Sequence, residues 1–250
     1  MKIVVLVKRV PDTETKVKVA GDGKTLDPTG VNYVLNPYDE FAIEEALQMK
    51  EKAGSGEVII LTLGSKDATK EMRTALAMGA DSGVLLLADA SFADTASVAG
   101  ALAAKIKELA PDVVLMGKQA VDDDNTAMGP YLAQKLDWPC VTIAVKLEIA
   151  DGKVTAEREI EGGREKIETS LPAVITCQKG LNTPRYASMK GIMMAKKKPI
   201  EEVSVELAAP KTRVIAMEMP PARAEGKIVG EGPDAVDALV KALKDEAKVI

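Results

Sequence analysis

Histidine is missing altogether from this 250-residue chain. That excludes His-based acid–base chemistry, Ser–His triads and His-ligated metals. Cysteine is nearly missing. The two present, Cys140 and Cys177, are too few for a four-cysteine zinc or iron–sulfur site within this chain. They lie far apart, which suggests a reducing compartment rather than a disulfide framework, and their apolar surroundings read as core. Aromatics make up only 3%, so Val, Ile, Leu, Ala and Met must build the interior. No apolar run approaches the ~20 residues of a membrane span. Positive charge is not in excess either: the formal net charge is −5, which argues against nucleic acid as a partner. Neither G-x-G-x-x-G after the first strand nor G-x-x-x-x-G-K-[ST] anywhere is found, and nothing resembles a nucleophile with its base.

What is there is ordinary globular material, 46% hydrophobic and 28% charged, with no compositional sign of disorder. The length suits one large domain or two small ones. The N-terminal Ile3-Val4-Val5-Leu6-Val7 is too short for a signal peptide and lacks a small-residue cleavage site. It reads as a first strand of a cytoplasmic protein, buried on both faces. Turn signals follow from Pro11 to Pro28, as in a hairpin excursion. Asn36 is a good N-cap, Pro37 suits the first helical position, and a helix is expected to about Ala53. Further strands are expected at 58–61, 84–87 and 113–116, with helices at 68–78, 95–109 and 126–136.

Strands alternating with helices predict an α/β fold: a doubly wound, mostly parallel sheet covered on both sides. Short polar segments at 145–149, 154–160 and 166–169, split by Asp151-Gly152 and Gly162-Gly163, predict an antiparallel meander over about 145–170. Ala173–Thr176 returns to the buried type. Residues 183–250 read as an irregular extension with a last helix near 235–247, capped by Asp234, set against a domain over 1–182.

In such a sheet, ligands bind beyond the carboxyl ends of the strands, where the strand order reverses. Two loops qualify if the first and fourth of these strands are neighbours. One holds Asn36-Pro37-Tyr38-Asp39. The other is Gly117-Lys118-Gln119-Ala120-Val121-Asp122-Asp123-Asp124-Asn125-Thr126-Ala127-Met128. Gly117 lets backbone approach a ligand, Lys118 brings positive charge, and Asn125 and Thr126 precede a helix whose free N–H groups attract phosphate. The three carboxylates would repel a phosphate, so they cap the helix, accept from a ribose hydroxyl or hold a cation. A capped loop that binds nothing fits the same residues. A third feature, Asn182 to Ala195, sets Met189, Ile192, Met193 and Met194 among cations. It is either an adaptable docking patch or a short amphipathic helix covering the core.

The motifs Val7-Lys8-Arg9-Val10-Pro11-Asp12, Asn36-Pro37-Tyr38-Asp39-Glu40, Arg73-Thr74-Ala75-Leu76-Ala77-Met78-Gly79-Ala80-Asp81, Gly117 to Asp124, Glu157 to Gly163 and Leu181-Asn182-Thr183-Pro184-Arg185-Tyr186-Ala187 occur in that order. Together they resemble the β subunit of electron transfer flavoprotein over essentially the whole chain. The resemblance implies an electron carrier subunit without catalytic residues of its own, in a heterodimer whose α subunit holds the redox-active FAD. It implies a domain of the adenine-nucleotide-binding type that buries a structural AMP. The implied AMP residues are Leu6, Asn36, Pro37, Tyr38, Asp39, Leu63 and the loop Gly117 to Met128.

The resemblance also implies that Tyr186, Ala187, Ser188, Met189, Lys190, Gly191, Ile192 and Met193 form a recognition loop for dehydrogenases such as acyl-CoA dehydrogenase. Met189 stands at that loop's usual leucine anchor, and Thr13 where an aromatic residue often faces the flavin. Residues 183–250 would pack on the α subunit, and electrons would pass on to a quinone reductase or another acceptor. One branch of the family bifurcates electrons and holds a second FAD in place of AMP. The run Asp122-Asp123-Asp124-Asn125-Thr126 differs from that branch's Asp-Gly-Asp-Thr and favours AMP. A free-standing nucleotide-binding regulator is a further alternative.

Overall fold

The computed structural model describes residues 1–223 and 225–250. It divides into two units, Met1–Met217 and Glu218–Ile250. The first unit opens with β1 (Lys2–Leu6), β2 (Arg9–Pro11), β3 (Tyr33–Leu35), α1 (Pro37–Ala53), β4 (Glu57–Gly64), α2 (Thr69–Met78) and β5 (Ser82–Leu87). It continues with α3 (Thr95–Leu109), β6 (Val113–Gly117), α4 (Met128–Leu136), β7 (Cys140–Ala150), β8 (Lys153–Ile160), β9 (Gly163–Ser170), β10 (Ala173–Cys177), α5 (Met189–Ala195) and β11 (Ile200–Ser204). The second unit holds α6 (Val236–Lys241).

Nine strands form one sheet in the order β11-β5-β4-β1-β6-β10-β7-β8-β9. All pairs from β11 to β7 are parallel, and β7-β8-β9 is the antiparallel meander. The apolar runs explain the burial. Along β1, Ile3 and Val5 enter the core beneath α1 and α2, while Val4 and Leu6 enter the core beneath α3 and α4. A strand covered on both faces has no polar position to spare, which is why its sequence does not alternate. Ile43 of α1 and Leu76 of α2 are fully buried on one side, Ile106 of α3 and Leu132 of α4 on the other. Each contributes about 1.5–3 kcal/mol of transfer free energy.

From β1 the chain builds outward through β4 and β5, then returns to place β6 on the other side of β1. The loops leaving β1 and β6 therefore diverge above adjacent strands, the geometry that opens a crevice in a doubly wound sheet.

Four features differ from the sequence-based expectation. The fourth helix begins at Met128, not Thr126, because Asp124 and Thr126 have φ of 50° and 52°, a left-handed backbone that cannot join a right-handed helix. A short helix, α5, forms within the stretch read as irregular, with Ser188 Oγ accepting from Gly191 N at 3.0 Å as its cap. Ile200–Ser204 becomes an edge strand on β5, with Ile200 turned to one core and Val203 to the other. Asp234 lies inside a 3-10 turn, Pro233–Ala235, and caps nothing. The last helix stops at Lys241 and widens into a π turn over Ala242–Glu246.

Candidate functional site

A cavity of about 400 Å³ opens at the carboxyl ends of β1, β4 and β6, within the size range of small-molecule sites. One wall is apolar: Leu6, Leu61, Leu63, Val98, Leu102 and Met116. The opposite wall is the loop after β6. Of the residues singled out from sequence, the structure brings Leu6, Asn36, Asp39, Leu63, Gly117, Lys118, Gln119, Ala120, Asp123, Asn125, Thr126, Ala127 and Met128 to this cavity. Pro37, Tyr38, Val121, Asp122 and Asp124 do not line it.

Asn36 does not cap α1 with its side chain. Its Nδ2 donates to Asp39 Oδ1 and to the Gln119 carbonyl, both at 2.9 Å, and its Oδ1 accepts from Val121 N at 3.2 Å. It staples the loop after β6 to the loop after β3. Asp39 is buried and accepts from the backbone N–H groups of Lys8 (2.8 Å) and Gly117 (3.0 Å) as well. Burial pushes its carboxyl up to about 7, against the three N–H donors that favour the charged form.

Gly117 lines the cavity and is also required by the protein's own packing. A Cβ there would collide with Asp39 Oδ1 and lie 2.7 Å from Tyr38 Cβ, so the glycine lets β6 close onto the start of α1.

The acidic run is largely consumed by the protein itself. Lys8 Nζ meets Asp122 Oδ1 at 2.8 Å and Asp123 Oδ2 at 3.2 Å. Burial disfavours the Lys8 ammonium, but these two carboxylates outweigh it and hold its pKa above the usual value. Asp124 accepts from Gln119 Nε2. Asn125 Nδ2 reaches Thr95 Oγ1 at 3.2 Å and so ties the loop to the start of α3. Lys118 lies over the Tyr38 ring, its Nζ 5.0 Å from the centroid.

Two helix N-termini face the cavity, and they are not equivalent. Asp94 caps α3, accepting from Ser97 N at 2.9 Å, so that end already holds a carboxylate. Among the described residues no side chain caps α4, whose first amides belong to Met128 and Gly129. The positive end available to an anion is therefore that of α4. An apolar wall for a flat ring, an uncapped helix start and polar side chains between them fit an adenine nucleotide. Among the described residues no cluster of His, Cys, Asp and Glu could hold a metal ion.

Sequence reasoning missed Thr62, Asp94, Thr95 and Thr212, which also line the cavity. The loop after β5 was discoverable, since it too leaves the carboxyl end of a parallel strand. Thr212 was not, because nothing in its aperiodic surroundings points back to the sheet.

The other candidate surface lies elsewhere, on α5. This helix packs against α2, which covers the opposite face of the sheet from α3 and α4. Ala195 is buried, while Met189 is 79% exposed, Tyr186 is 99% exposed and Ile192, Met193 and Met194 are open to solvent. The helix forms, yet most of its apolar residues do not cover the core. Arg73 donates to the Ala195 and Lys198 carbonyls, and Lys198 Nζ donates back to the Leu76 and Ala80 carbonyls at the end of α2. Gly191 is required by contact, since a Cβ would meet the Ala77 carbonyl. Upstream, Arg185 binds Glu44 at 2.8 Å and Glu51 at 2.6 Å on α1. Both cysteines are free. Cys177 is buried in the first core, and burial pushes the half-buried Cys140 thiol up to about 11, so neither is poised as a nucleophile.

A family profile described as "Electron transfer flavoprotein domain" matches residues 24–208. A protein of Bacillus subtilis (strain 168) named "Electron transfer flavoprotein subunit beta" is 45% identical over 260 aligned residues, covering 100% of both chains. One of the same name from Homo sapiens is 39% identical, covering 100% of this chain and 99% of its own. An Oryza sativa subsp. japonica relative, named as mitochondrial, is 41% identical with both chains fully covered. Among the described residues no helix is long and apolar enough to cross a membrane.

Proposed function

This chain belongs to the electron transfer flavoprotein family, as a β subunit, and from that premise we propose that it carries a structural AMP and docks dehydrogenases for a flavin held by its α subunit. The observation that carries the reading is the cavity between β1 and β6, with its apolar wall opposite the uncapped start of α4. Leu6, Leu61 and Leu63 would hold the base of AMP against the apolar part of the lining. The main-chain amides at Met128 and Gly129 would receive its phosphate. The nucleotide does no chemistry; it ties the loop after β6 to the rest of the sheet. FAD on the α subunit supplies the electron transfer. The contribution of this chain is to bind, to orient and to present a docking surface, and it needs no catalytic residue of its own.

Electrons arrive from dehydrogenases such as acyl-CoA dehydrogenase that dock on Tyr186 to Met193, with Met189 as the apolar plug. They leave to a quinone reductase or another acceptor. A small, brief interface suffices for such transfer. Residues 183–250 belong functionally to the docking surface and to the contact with the α subunit, and the heterodimer works in the cytoplasm.

A second reading, FAD in place of AMP, is favoured by one feature. A second cavity of about 630 Å³ shares Lys8, Leu63 and Ala90 with the first, leaving room for a longer dinucleotide. Denaturing the co-expressed heterodimer and identifying the released nucleotides separates the two. Equal amounts of FAD and AMP support the first reading; FAD alone supports the second. A chain that purifies without any partner or nucleotide overturns both.

A further inference from the structure

The segment after β11 does not leave the sheet freely. Val205 N donates to the Leu87 carbonyl at 3.1 Å, and Met217 N donates to the Gly23 carbonyl at 2.8 Å. Between these ends residues 206–216 have no helix or strand and are mostly exposed. Such a segment opens locally at little cost unless something holds it. Among the described residues, what holds its middle is one carboxylate. Asp94 Oδ2 accepts from the backbone N–H groups of Lys211 (2.5 Å) and Thr212 (3.1 Å), while Oδ1 caps α3. Thr212 reaches the lining of the nucleotide cavity through this contact.

We propose that Asp94 is a positioning residue for the bound nucleotide: it clamps residues 211–212 across the cavity, making 205–217 its outer wall. The inference rests on the reading of that cavity as a nucleotide site. Three N–H donors converge on the Asp94 carboxylate, so its negative charge is offset by the protein's own amides. These hydrogen bonds, that from Ser97 foremost and with burial acting the other way, leave its carboxyl at about 2, so the clamp stays charged over the working pH range. The rim continues through Thr95 Oγ1, Asn125, Asp123 and Lys8, and the clamped strap differs from the loop after β6 in having no helix or strand over 206–216. The nucleotide leaves when the strap lifts. Asp94 therefore sets the rate of exchange without touching the electron path.

The test uses the co-expressed heterodimer loaded with isotopically labelled AMP and chased with unlabelled AMP. Asp94→Asn and Asp94→Ser both keep a good N-cap for α3 but remove the second acceptor. Both variants are expected to release label at least about ten-fold faster, since hydrogen bonds to a charged acceptor are lost. Hydrogen exchange at the amides of Lys211 and Thr212 should lose protection, while the exchange of α3 stays near wild type. Release at the wild-type rate from both variants, or unprotected amides in the wild type, overturns the clamp alone. Wild-type heterodimer that binds no AMP overturns the nucleotide reading and this proposal with it.

Discussion

Asn36 Nδ2 donates to Asp39 Oδ1 across 2.9 Å inside the protein, and the same asparagine grips the loop after β6 on its other side. The pair is a joint between two loops. Asn36→Ala leaves half-buried backbone groups at Gln119 and Val121, and the buried Asp39 carboxylate, short of a partner and should cost about 1–3 kcal/mol. Asn36→Asp should cost more, because it sets two carboxylates at hydrogen-bond distance in one buried place. Urea unfolding of the three proteins gives the ranking.

Asp39 also makes stability depend on pH. Its folded pKa, raised to about 7, lies above the ordinary carboxylate value. The stability linked to its proton is therefore fully present below the unfolded pKa of about 4 and is lost as pH rises through about 7. The urea midpoint of the wild type should fall from about pH 5 to about pH 8, and Asp39→Asn should flatten that fall. An unchanged profile in the variant assigns the slope to other groups.

Gly117 and Gly191 are among the glycines that have no room for a methyl group. Gly117→Ala forces Asp39 and Tyr38 away from the end of β6, and about 1–3 kcal/mol of destabilisation is expected. Gly191→Ala meets the Ala77 backbone, which cannot yield as a side chain can. It should lift α5 from α2 and expose its amides to hydrogen exchange, with little effect on the cavity. Thermal unfolding and exchange measure the two effects separately.

Arg185→Lys should loosen the approach to α5. The guanidinium serves Glu44 and Glu51 together, a geometry that an ammonium cannot copy. With Glu44 buried and Arg185 a third open to water, the loss should be about 1–2 kcal/mol. Burial pushes the Glu44 carboxyl up, but hydrogen bonds from Arg185 outweigh it and hold the pKa below the usual range. This contribution is present above the ordinary carboxylate pKa and is lost as pH falls through the lowered one. The difference between variant and wild type should shrink in acid, as urea midpoints will show.

Met189→Ala should leave folding untouched, because the side chain is 79% exposed. Docking should weaken by about 1–3 kcal/mol if it is the plug of the interface. The rate of dehydrogenase-dependent flavin reduction, read against substrate concentration, measures this. An unchanged rate removes Met189 from the docking surface.

The central architecture was legible because its physics is local. Val4, Ile59, Val84 and Val114 lie in apolar runs that only a doubly covered strand explains, and Gly79 follows the last residue of α2 as a stop. The alternation of strand and helix made β1 and β6 candidates for neighbours, and the pairing of Ile3 with Val113 bears that out. What was not legible depends on contacts distant in sequence. Ile200–Ser204 carries two glutamates in five residues, and nothing local shows that β5 needs a neighbour. Asp94 and Thr212 stand 118 residues apart, joined by one hydrogen bond from an aperiodic strap. Asn36 suits a helix cap by type, but its side chain bonds the far loop and the Asp39 carboxylate instead of a main-chain amide of α1.

The edge strand β11 bears on how the polypeptide is made. During synthesis the flank of β5 stays open until residues 200–204 emerge, and β1 waits at the centre for β6 on one side. Long-range parallel pairing of this kind forms slowly and leaves unpaired flanks prone to sticking. A chain cut after residue 182 would keep that flank permanently bare and should accumulate in inclusion bodies, whereas one cut after Met217 retains every strand of the sheet.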